Sequence, residues 1–340
     1  MRLLSALWMG AVRLTRPQLS LPLEQSTREL PVLEQQVRGT RFLSLPVRRV
    51  LNPPASTGMQ FWSLNPYIGC EFGCSYCYAR QTHAWTMERT GQSEATLTPH
   101  QSFESNILIK HSAPDVLLRT LDPHRLGSTA LVIGTATDPY QPAERKFRLT
   151  RRLLETLLHH RGLRIGIITK SPLIARDVDV LTAVAQRHAL AVHLSIASTD
   201  AALLRRLEAR TPAPHARFRA LSRLTSAGLN AGVLIAPIIP GITDSYPALA
   251  AIMEAAREAG ARWVAGEALR LGHAARTGFL PLLRREFPEL VARYEQRYGR
   301  SQRAGADYEK ALTRRLITLQ QAFGFPVHEG MRRKAAISNA

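Results

Sequence analysis

Cys70, Cys74 and Cys77 are the three cysteines of this 340-residue chain, and they crowd into eight residues, Cys70-Glu-Phe-Gly-Cys74-Ser-Tyr-Cys77. An odd number of thiols in one loop argues against a disulfide framework and for a shared ligand. A structural zinc ion asks for four ligands in closed tetrahedral geometry. Three thiolates are at hand, and His83, six residues after Cys77, is the candidate fourth. A cubane iron–sulfur cluster has four irons, so three thiolates leave one iron open to a further ligand. Gly73 lets such a loop wrap tightly, and Phe72 supplies a side chain that excludes water.

The elements that must position this loop alternate in kind. Strands are expected at Gln60–Asn65, Ala130–Gly134, Arg164–Thr169, Ala191–Ala197, Asn230–Ile235 and Arg262–Ala265, each an apolar run bounded by turn residues. Between them fall helices at Ala143–His160, Ala175–Arg187, Asp200–Glu208 with Ser198 or Thr199 as cap, His215–Ala227 and Ser245–Ala259. Strands alternating with helices imply parallel β–α units, hence an α/β fold built as an open, six-stranded partial barrel. Sites in such barrels gather at the C-terminal ends of the strands, where the cysteine loop follows the first strand. Period-two spacing puts His193, Ser195 and Ala197 on one face of their strand and Val192, Leu194 and Ile196 on the other. Glu267 and His273 follow the last strand and are weaker candidates to face a substrate. Helices with basic faces are expected over Pro281–Tyr298 and Tyr308–Phe323. The expected organisation is a basic, partly disordered N-terminal extension over 1–50, a barrel over 51–270, a C-terminal helical extension over 271–329 and a basic tail over 330–340.

The spacing Cys-x3-Cys-x2-Cys, with aromatic Tyr76 before the last cysteine, resembles the motif of the radical SAM superfamily. Further stretches narrow the likeness: Asn65-Pro-Tyr-Ile-Gly-Cys70, Gly134-Thr-Ala-Thr-Asp-Pro-Tyr-Gln-Pro-Ala-Glu144, Ile168-Thr-Lys-Ser171, Leu194-Ser195 and Ala236-Pro-Ile-Ile-Pro-Gly241. Together they resemble the spore photoproduct lyase-related branch, and chiefly its uncharacterised bacterial relatives. The resemblance implies a partial (β/α)6 TIM-like barrel with a C-terminal helical extension. It implies a 4Fe-4S cluster on Cys70, Cys74 and Cys77, S-adenosyl-L-methionine as second cofactor, and an electron donor such as flavodoxin or ferredoxin. An electron passed through the cluster would break a carbon–sulfur bond of the sulfonium, and the 5′-deoxyadenosyl radical would abstract hydrogen from a substrate. It also implies roles for single residues. Tyr76 would lie near the adenine, and Tyr76 and Tyr78 match the catalytic tyrosines beside the last cluster cysteine. Thr135, Thr137 and Asp138 would cradle the methionine amino group, Lys170 and Arg210 its carboxylate, and Ser195 the ribose or the methionine end. One departure matters. The lyase uses an additional cysteine as hydrogen-atom donor; here the matching place lies near Thr135, and a hydroxyl is a poor hydrogen-atom donor. That favours a radical reaction other than thymine-dimer repair. The competing reading is a nucleic-acid-binding protein with a structural zinc or iron–sulfur site.

The formal net charge is +19, and the 45 basic residues include only five lysines. Residues 1–60 carry eight Arg and Lys against three acids, and residues 270–340 carry fourteen against six, so the ends hold most of the excess. Such a chain invites a polyanionic partner, nucleic acid in particular. An arginine-rich surface with no partner explains the same numbers. No window approaches the ~18 uninterrupted apolar residues of a membrane helix. The short apolar stretch Leu3–Val12, with Arg2, Arg13 and Arg16 around it, reads as a frayed extension or the product of a mis-called start codon, with a signal or targeting peptide as the alternative. The thiol motif needs a reducing compartment, which points to the cytoplasm.

Overall fold

The computed structural model describes residues 30–35, 39–89, 99–327 and 331. Most of the expected N-terminal extension and basic tail therefore lies outside the described residues. Among the described residues eleven strands run in chain order: β1 (Val32–Gln35), β2 (Arg41–Ser44), β3 (Leu51–Asn52), β4 (Trp62–Leu64), β5 (Tyr67–Ile68), β6 (Asn106–Ile109), β7 (Leu131–Ile133), β8 (Arg164–Thr169), β9 (Ala189–Ser195), β10 (Ala231–Ile238) and β11 (Val264–Ala268). Residues up to 72 with 79–192 form one compact unit, here the N-terminal unit; 73–78 with 193 onward form the C-terminal unit.

In the N-terminal unit β4 pairs antiparallel with β3 and parallel with β7, and β7 pairs parallel with β8. Leu131, Val132 and Ile133 are fully buried, as expected for a parallel strand covered on both faces. A second sheet, absent from the sequence-based expectation, has the order β1-β2-β6-β5. Its strands β1 and β2 lie within the N-terminal extension expected over 1–50, and Phe42, Tyr67, Ile107 and Ile109 form its core with Ala143 and Leu149.

The helix expected over Ala143–His160 is two helices, Glu144–Phe147 and Leu149–Leu157, broken at Arg148 with φ of 50°. A left-handed arginine is costly. Glu144 offsets that cost, because its carboxylate accepts from Thr150 N at 3.0 Å and Arg151 N at 3.2 Å and so caps the second helix. The helix expected from Ala175 begins at Val178, after a 3-10 turn over Pro172–Asp177.

In the C-terminal unit β10 and β11 pair in parallel, and Ile196 N, just past β9, donates to Leu234 O at 3.0 Å. Helix Ala201–Leu207 is capped by Asp200, whose carboxylate accepts from Ala202 N and Leu203 N, rather than by Ser198 or Thr199. Ser198 Oγ instead accepts from Asp200 N and so orients the cap. Helices Pro214–Ser226 and Tyr246–Glu258 follow, the latter capped by Ser245. The helix expected over Pro281–Tyr298 is interrupted. His273–Glu286 ends before Pro288, whose ring cannot continue it, and Val291–Tyr298 starts anew. These segments and helix Ala306–Ala322 are tied to strand ends: Tyr294 Oη donates to Pro240 O at 2.7 Å, Tyr298 Oη to Leu269 O at 2.9 Å and Gln320 Nε2 to Val264 O at 2.7 Å. Among the described residues no helix is long and apolar enough to cross a membrane.

Candidate functional site

The cysteine loop is held by different chemistry along its length. Its beginning, Gly69 to Phe72, belongs to the N-terminal unit and is held by backbone groups, by the Thr137 and Gln141 side chains and by the Glu71 carboxylate. Cys70 N donates to Phe103 O at 3.0 Å. Thr137 Oγ1 donates to Gly69 O at 2.6 Å, and Gln141 Nε2 donates to Gly69 O at 3.2 Å and to Thr137 Oγ1 at 2.9 Å. Gln141 Oε1 accepts from Glu71 N at 3.0 Å, and Glu71 Oε2 accepts from Ala143 N at 2.7 Å. The backbone is thus fixed immediately before and after Cys70. Gly69 has φ of 88°, and a Cβ there would meet the carbonyls of Phe103 and Asn106 at 2.9 Å. The close approach of the β6 segment requires a glycine.

One turn upstream, Asn65 fixes the strand end beside the loop. Its Oδ1 accepts from Thr135 N at 3.0 Å and Ala136 N at 2.9 Å, and its Nδ2 donates to Ser63 Oγ at 2.8 Å and Thr135 Oγ1 at 3.1 Å. Lys110, at the end of β6, donates from Nζ to Asn65 O at 3.1 Å. Lys110 is buried and faces no carboxylate among the described residues, and burial pushes its pKa down to about 8.

The remainder of the loop, Gly73 to Tyr78, belongs to the C-terminal unit and is held by an ion pair. Cys74 and Glu208 form an antiparallel bridge, and Ser75 donates from both N and Oγ to Leu207 O at 3.0 Å. Tyr76 donates its hydroxyl to Glu208 Oε1. Arg217 Nη2 donates to Glu208 Oε2 at 2.6 Å, and Thr211 Oγ1 donates to the same oxygen at 2.8 Å. Arg217 also donates to Pro212 O from Nε and to Ser195 O from Nη1, both at 2.9 Å. Glu208 and Arg217 are fully buried. Burial, and then the Glu208 carboxylate, hold the Tyr76 hydroxyl well above its ordinary pKa, so it stays a neutral donor.

The residues singled out by resemblance fall in several places. Thr135 shares its hydroxyl with Ser63 and Asn65, and Thr137 commits its hydroxyl to Gly69 O. Asp138 accepts from Tyr140 N at 2.9 Å and Thr169 Oγ1 at 2.6 Å through Oδ1, and from Lys170 N at 2.7 Å through Oδ2. Its carboxylate closes a turn and joins β7 to the end of β8. Lys170 is half-buried there. Ser195 is buried and donates to Ala236 O at 2.9 Å. Arg210 is exposed, two residues after the buried Glu208. Tyr78 is 44 % exposed, in contrast to Tyr76 at 6 %. His193 is a core residue whose ring lies tilted at 54° and 4.5 Å from the Trp263 ring, and burial lowers its pKa to about 3, so it is neutral. Glu267 pairs with Arg270 at 3.0 Å, and His273 is exposed.

Residues that sequence reasoning passed over are Gln141, Glu144, Lys110, Glu208 and Arg217. Arg217 had a signal. It lies in register with Pro214, Ala220, Leu221 and Leu224 on the buried stripe of its helix, where an arginine needs a buried partner.

The donor chemistry fits an iron–sulfur cluster. No disulfide ties up the three cysteines, two of them buried, on a loop whose backbone is pinned beside Cys70 and at Cys74. His83 does not present itself as a fourth zinc ligand. Its Nε2 pairs with Asn106 O at 3.0 Å and its ring sits edge-on to Phe103 at 5.6 Å. Among the described residues no three His, Cys, Asp or Glu side chains converge on a single ion. The thiolates of a cubane each bind a different iron and need no such convergence.

Comparison with known proteins agrees. The sequence model of the radical SAM superfamily matches residues 64–253. An uncharacterised protein of Mycobacterium tuberculosis is 31% identical over 286 residues, 84% of this chain and 81% of that protein. An uncharacterised protein of Methanocaldococcus jannaschii is 27% identical over 203 residues, 60% of this chain and 70% of that protein. Among solved structures, a variant of spore photoproduct lyase superposes with a TM-score of 0.58 at 15% identity, covering 83% of this chain and 79% of that one. Another, with bound AdoMet and dinucleoside spore photoproduct, gives 0.51 at 15% identity over 73% of this chain and 66% of that one. These likenesses at low identity carry the fold, a mixed α/β architecture with a parallel sheet. The match over 64–253 carries the kinship: the chain belongs to the radical SAM superfamily.

Proposed function

We propose that this chain is a radical enzyme in which Cys70, Cys74 and Cys77 hold a 4Fe-4S cluster whose open iron takes S-adenosylmethionine. The observation that carries this reading is the loop itself: three thiols in eight residues, on a backbone fixed on both sides of Cys70 and again at Cys74 and Ser75. A cluster held there would supply reductive chemistry: one electron from the flavodoxin or ferredoxin donor would split S-adenosylmethionine into methionine and a 5′-deoxyadenosyl radical able to take a hydrogen atom from the substrate. The protein's own part is to hold the thiolates still and to exclude water. Phe72 is 3 % exposed, and Thr137 and Gln141 keep Gly69 from relaxing. In this reading β4, β7, β8, β9, β10 and β11 are the strands of a six-stranded partial barrel, the electron donor is a flavodoxin or ferredoxin, and the compartment is reducing. Lys170 and Ser195, at the ends of β8 and β9, remain the candidates for the methionine end. Tyr78 is the better candidate for contact with a radical, because the Tyr76 hydroxyl is committed to Glu208.

Nucleic acid is the substrate class the charge supports. From 201 to 243 the chain carries six arginines and a single acid, Glu208, which Arg217 neutralises in the interior. Arg205, Arg210, Arg219 and Arg223 are exposed. The spore photoproduct lyase structure with a bound dinucleoside belongs to the same fold. The absence of a fourth cysteine argues for chemistry other than that lyase's.

The test is anaerobic reconstitution. The protein should turn brown, bind about four irons and, with dithionite, release 5′-deoxyadenosine from S-adenosylmethionine. Cys74→Ala should lose colour and cleavage together. A colourless, zinc-loaded protein inert to S-adenosylmethionine would end this reading. Binding to DNA or RNA that does not weaken steeply with salt would remove nucleic acid as the substrate.

A further inference from the structure

The pair Glu208–Arg217 sits where no surface salt bridge would be of use. Both side chains are completely buried, 2.6 Å apart, and their contacts run to the loop that carries Cys74. Glu208 reaches that loop twice, by its backbone bridge to Cys74 and by its carboxylate, which accepts from Tyr76. Arg217 spends its remaining donors on the carbonyls of Ser195 and Pro212 and so anchors the pair to the end of β9 and the start of its own helix. A helix N-terminus could be fixed with far less. Burying two charges costs several kcal/mol per ion before their attraction repays it, and an apolar pair of the same shape would often be as stable. The arrangement calls for a reason beyond stability.

We propose that Glu208 and Arg217 are positioning residues that act on the cluster through Cys74 and Tyr76, and that their opposite charges balance at the loop to set how readily the cluster accepts an electron. This rests on the cluster-binding reading above. Net charge, hydrogen bonding and solvent exposure around the thiolates set the reduction potential of an iron–sulfur cluster. In a water-poor interior an unbalanced charge is felt strongly. With both ions in place the loop sees a dipole. With Glu208 neutral it sees a cation, which favours adding an electron. With Arg217 gone it sees an anion, which opposes it. The two single changes must therefore move the potential in opposite directions, and the double change must bring it back.

The experiment is a redox titration of reconstituted protein followed by electron paramagnetic resonance, on wild type, Glu208→Gln, Arg217→Met and the double variant, with iron and sulfide counted in each. Glu208→Gln should raise the midpoint potential and Arg217→Met lower it, each by about tenfold in the one-electron equilibrium, 59 mV. The double variant should lie close to wild type. Singles that shift in the same direction, or a fully loaded Glu208→Gln protein with unshifted potential, would overturn the proposal. Should Arg217→Met not fold, the sign of the Glu208→Gln shift decides alone. Wild-type protein that binds no iron refutes the cluster reading instead, which keeps the two failures distinguishable.

Discussion

Arg217 in the C-terminal unit and Lys110 in the N-terminal unit are both buried cations beside the cysteine loop, and the two are handled in opposite ways. Arg217 meets a carboxylate, two backbone carbonyls and the Thr211 hydroxyl. Lys110 meets one carbonyl, Asn65 O, and its burial goes otherwise uncompensated. Both hold backbone that leads into the cluster motif. The difference is one of cost. A paired charge is dear to break, and an unpaired one is dear to keep. Arginine's planar fork serves several acceptors at once, whereas the compact ammonium of lysine can shed its proton when burial becomes too costly.

The comparison breaks most visibly if each cation is replaced by methionine. Arg217→Met removes the buried cation that faces Glu208, and unfolding experiments at neutral pH should show a loss of about 3–5 kcal/mol. Lys110→Met removes an uncompensated charge of similar length, and the same experiment should show no loss or a gain of about 1–2 kcal/mol. Equal losses in the two variants would mean that Lys110 has a counter-charge in solution.

A pH series sharpens the same contrast. The Lys110 pKa is lowered from its usual 10.5 to about 8 in the folded protein. Below pH 8 the lysine is charged in both states and its burial penalty is fully present. Between about pH 8 and 10.5 the unfolded chain holds a proton that the folded chain has released, so stability must rise with pH in this window. The rise attributable to Lys110 is about 3 kcal/mol; Lys110→Met lacks it, so it should appear in full in the difference between wild type and that variant. A difference that is flat across that window would contradict the burial account.

How much of this was legible beforehand depends on the kind of order involved. The cysteine loop was, because three thiols at fixed spacing mean the same thing in any context. So were the strands of the parallel sheet, since buried runs such as Leu131–Ile133 are apolar throughout. Glu144 and Arg148 were not. The helical spacing of Phe147, Leu153, Leu154, Leu157 and Leu158 ran across a break that the Glu144 carboxylate, four residues before it, makes tolerable. Nor was the small sheet, whose strands pair across more than sixty residues, as Arg41 with Asn106. Lys110 and Arg217 were hidden for the reason that makes them informative: in a chain with 45 basic residues, no single cation stands out until its burial is known.

The beginning of the loop offers a smaller effect. Gln141→Ala removes the amide that holds Gly69 O and Glu71 N, and leaves Glu71 N without its acceptor. Two ordinary hydrogen bonds predict a loss of about 1–2 kcal/mol. Because Cys70 lies between those contacts, iron bound after reconstitution should fall or exchange faster. Unchanged loading with unchanged stability would show that Phe103 O and Thr137 fix Cys70 without the glutamine.

The smallest effect falls on the two tyrosines that flank Cys77, and there stability and activity should part company. Tyr76 is buried and gives its hydroxyl to Glu208, whose other oxygen is shared by Arg217 and Thr211. Tyr76→Phe leaves one carboxylate oxygen without its donor and should cost about 1–2 kcal/mol. Tyr78 is 44 % exposed, so Tyr78→Phe should change stability by no more than about 0.5 kcal/mol. If the hydroxyl nearer to solvent is the one that meets a radical, Tyr78→Phe should alter turnover in a protein that is otherwise as stable and as well loaded as wild type. Tyr76→Phe should instead lower loading and stability together. Measuring 5′-deoxyadenosine release per bound cluster separates the two, because it corrects for protein that never received iron. A per-cluster rate that falls for Tyr76→Phe and not for Tyr78→Phe would reverse the assignment and make the Glu208 contact part of the chemistry rather than its support.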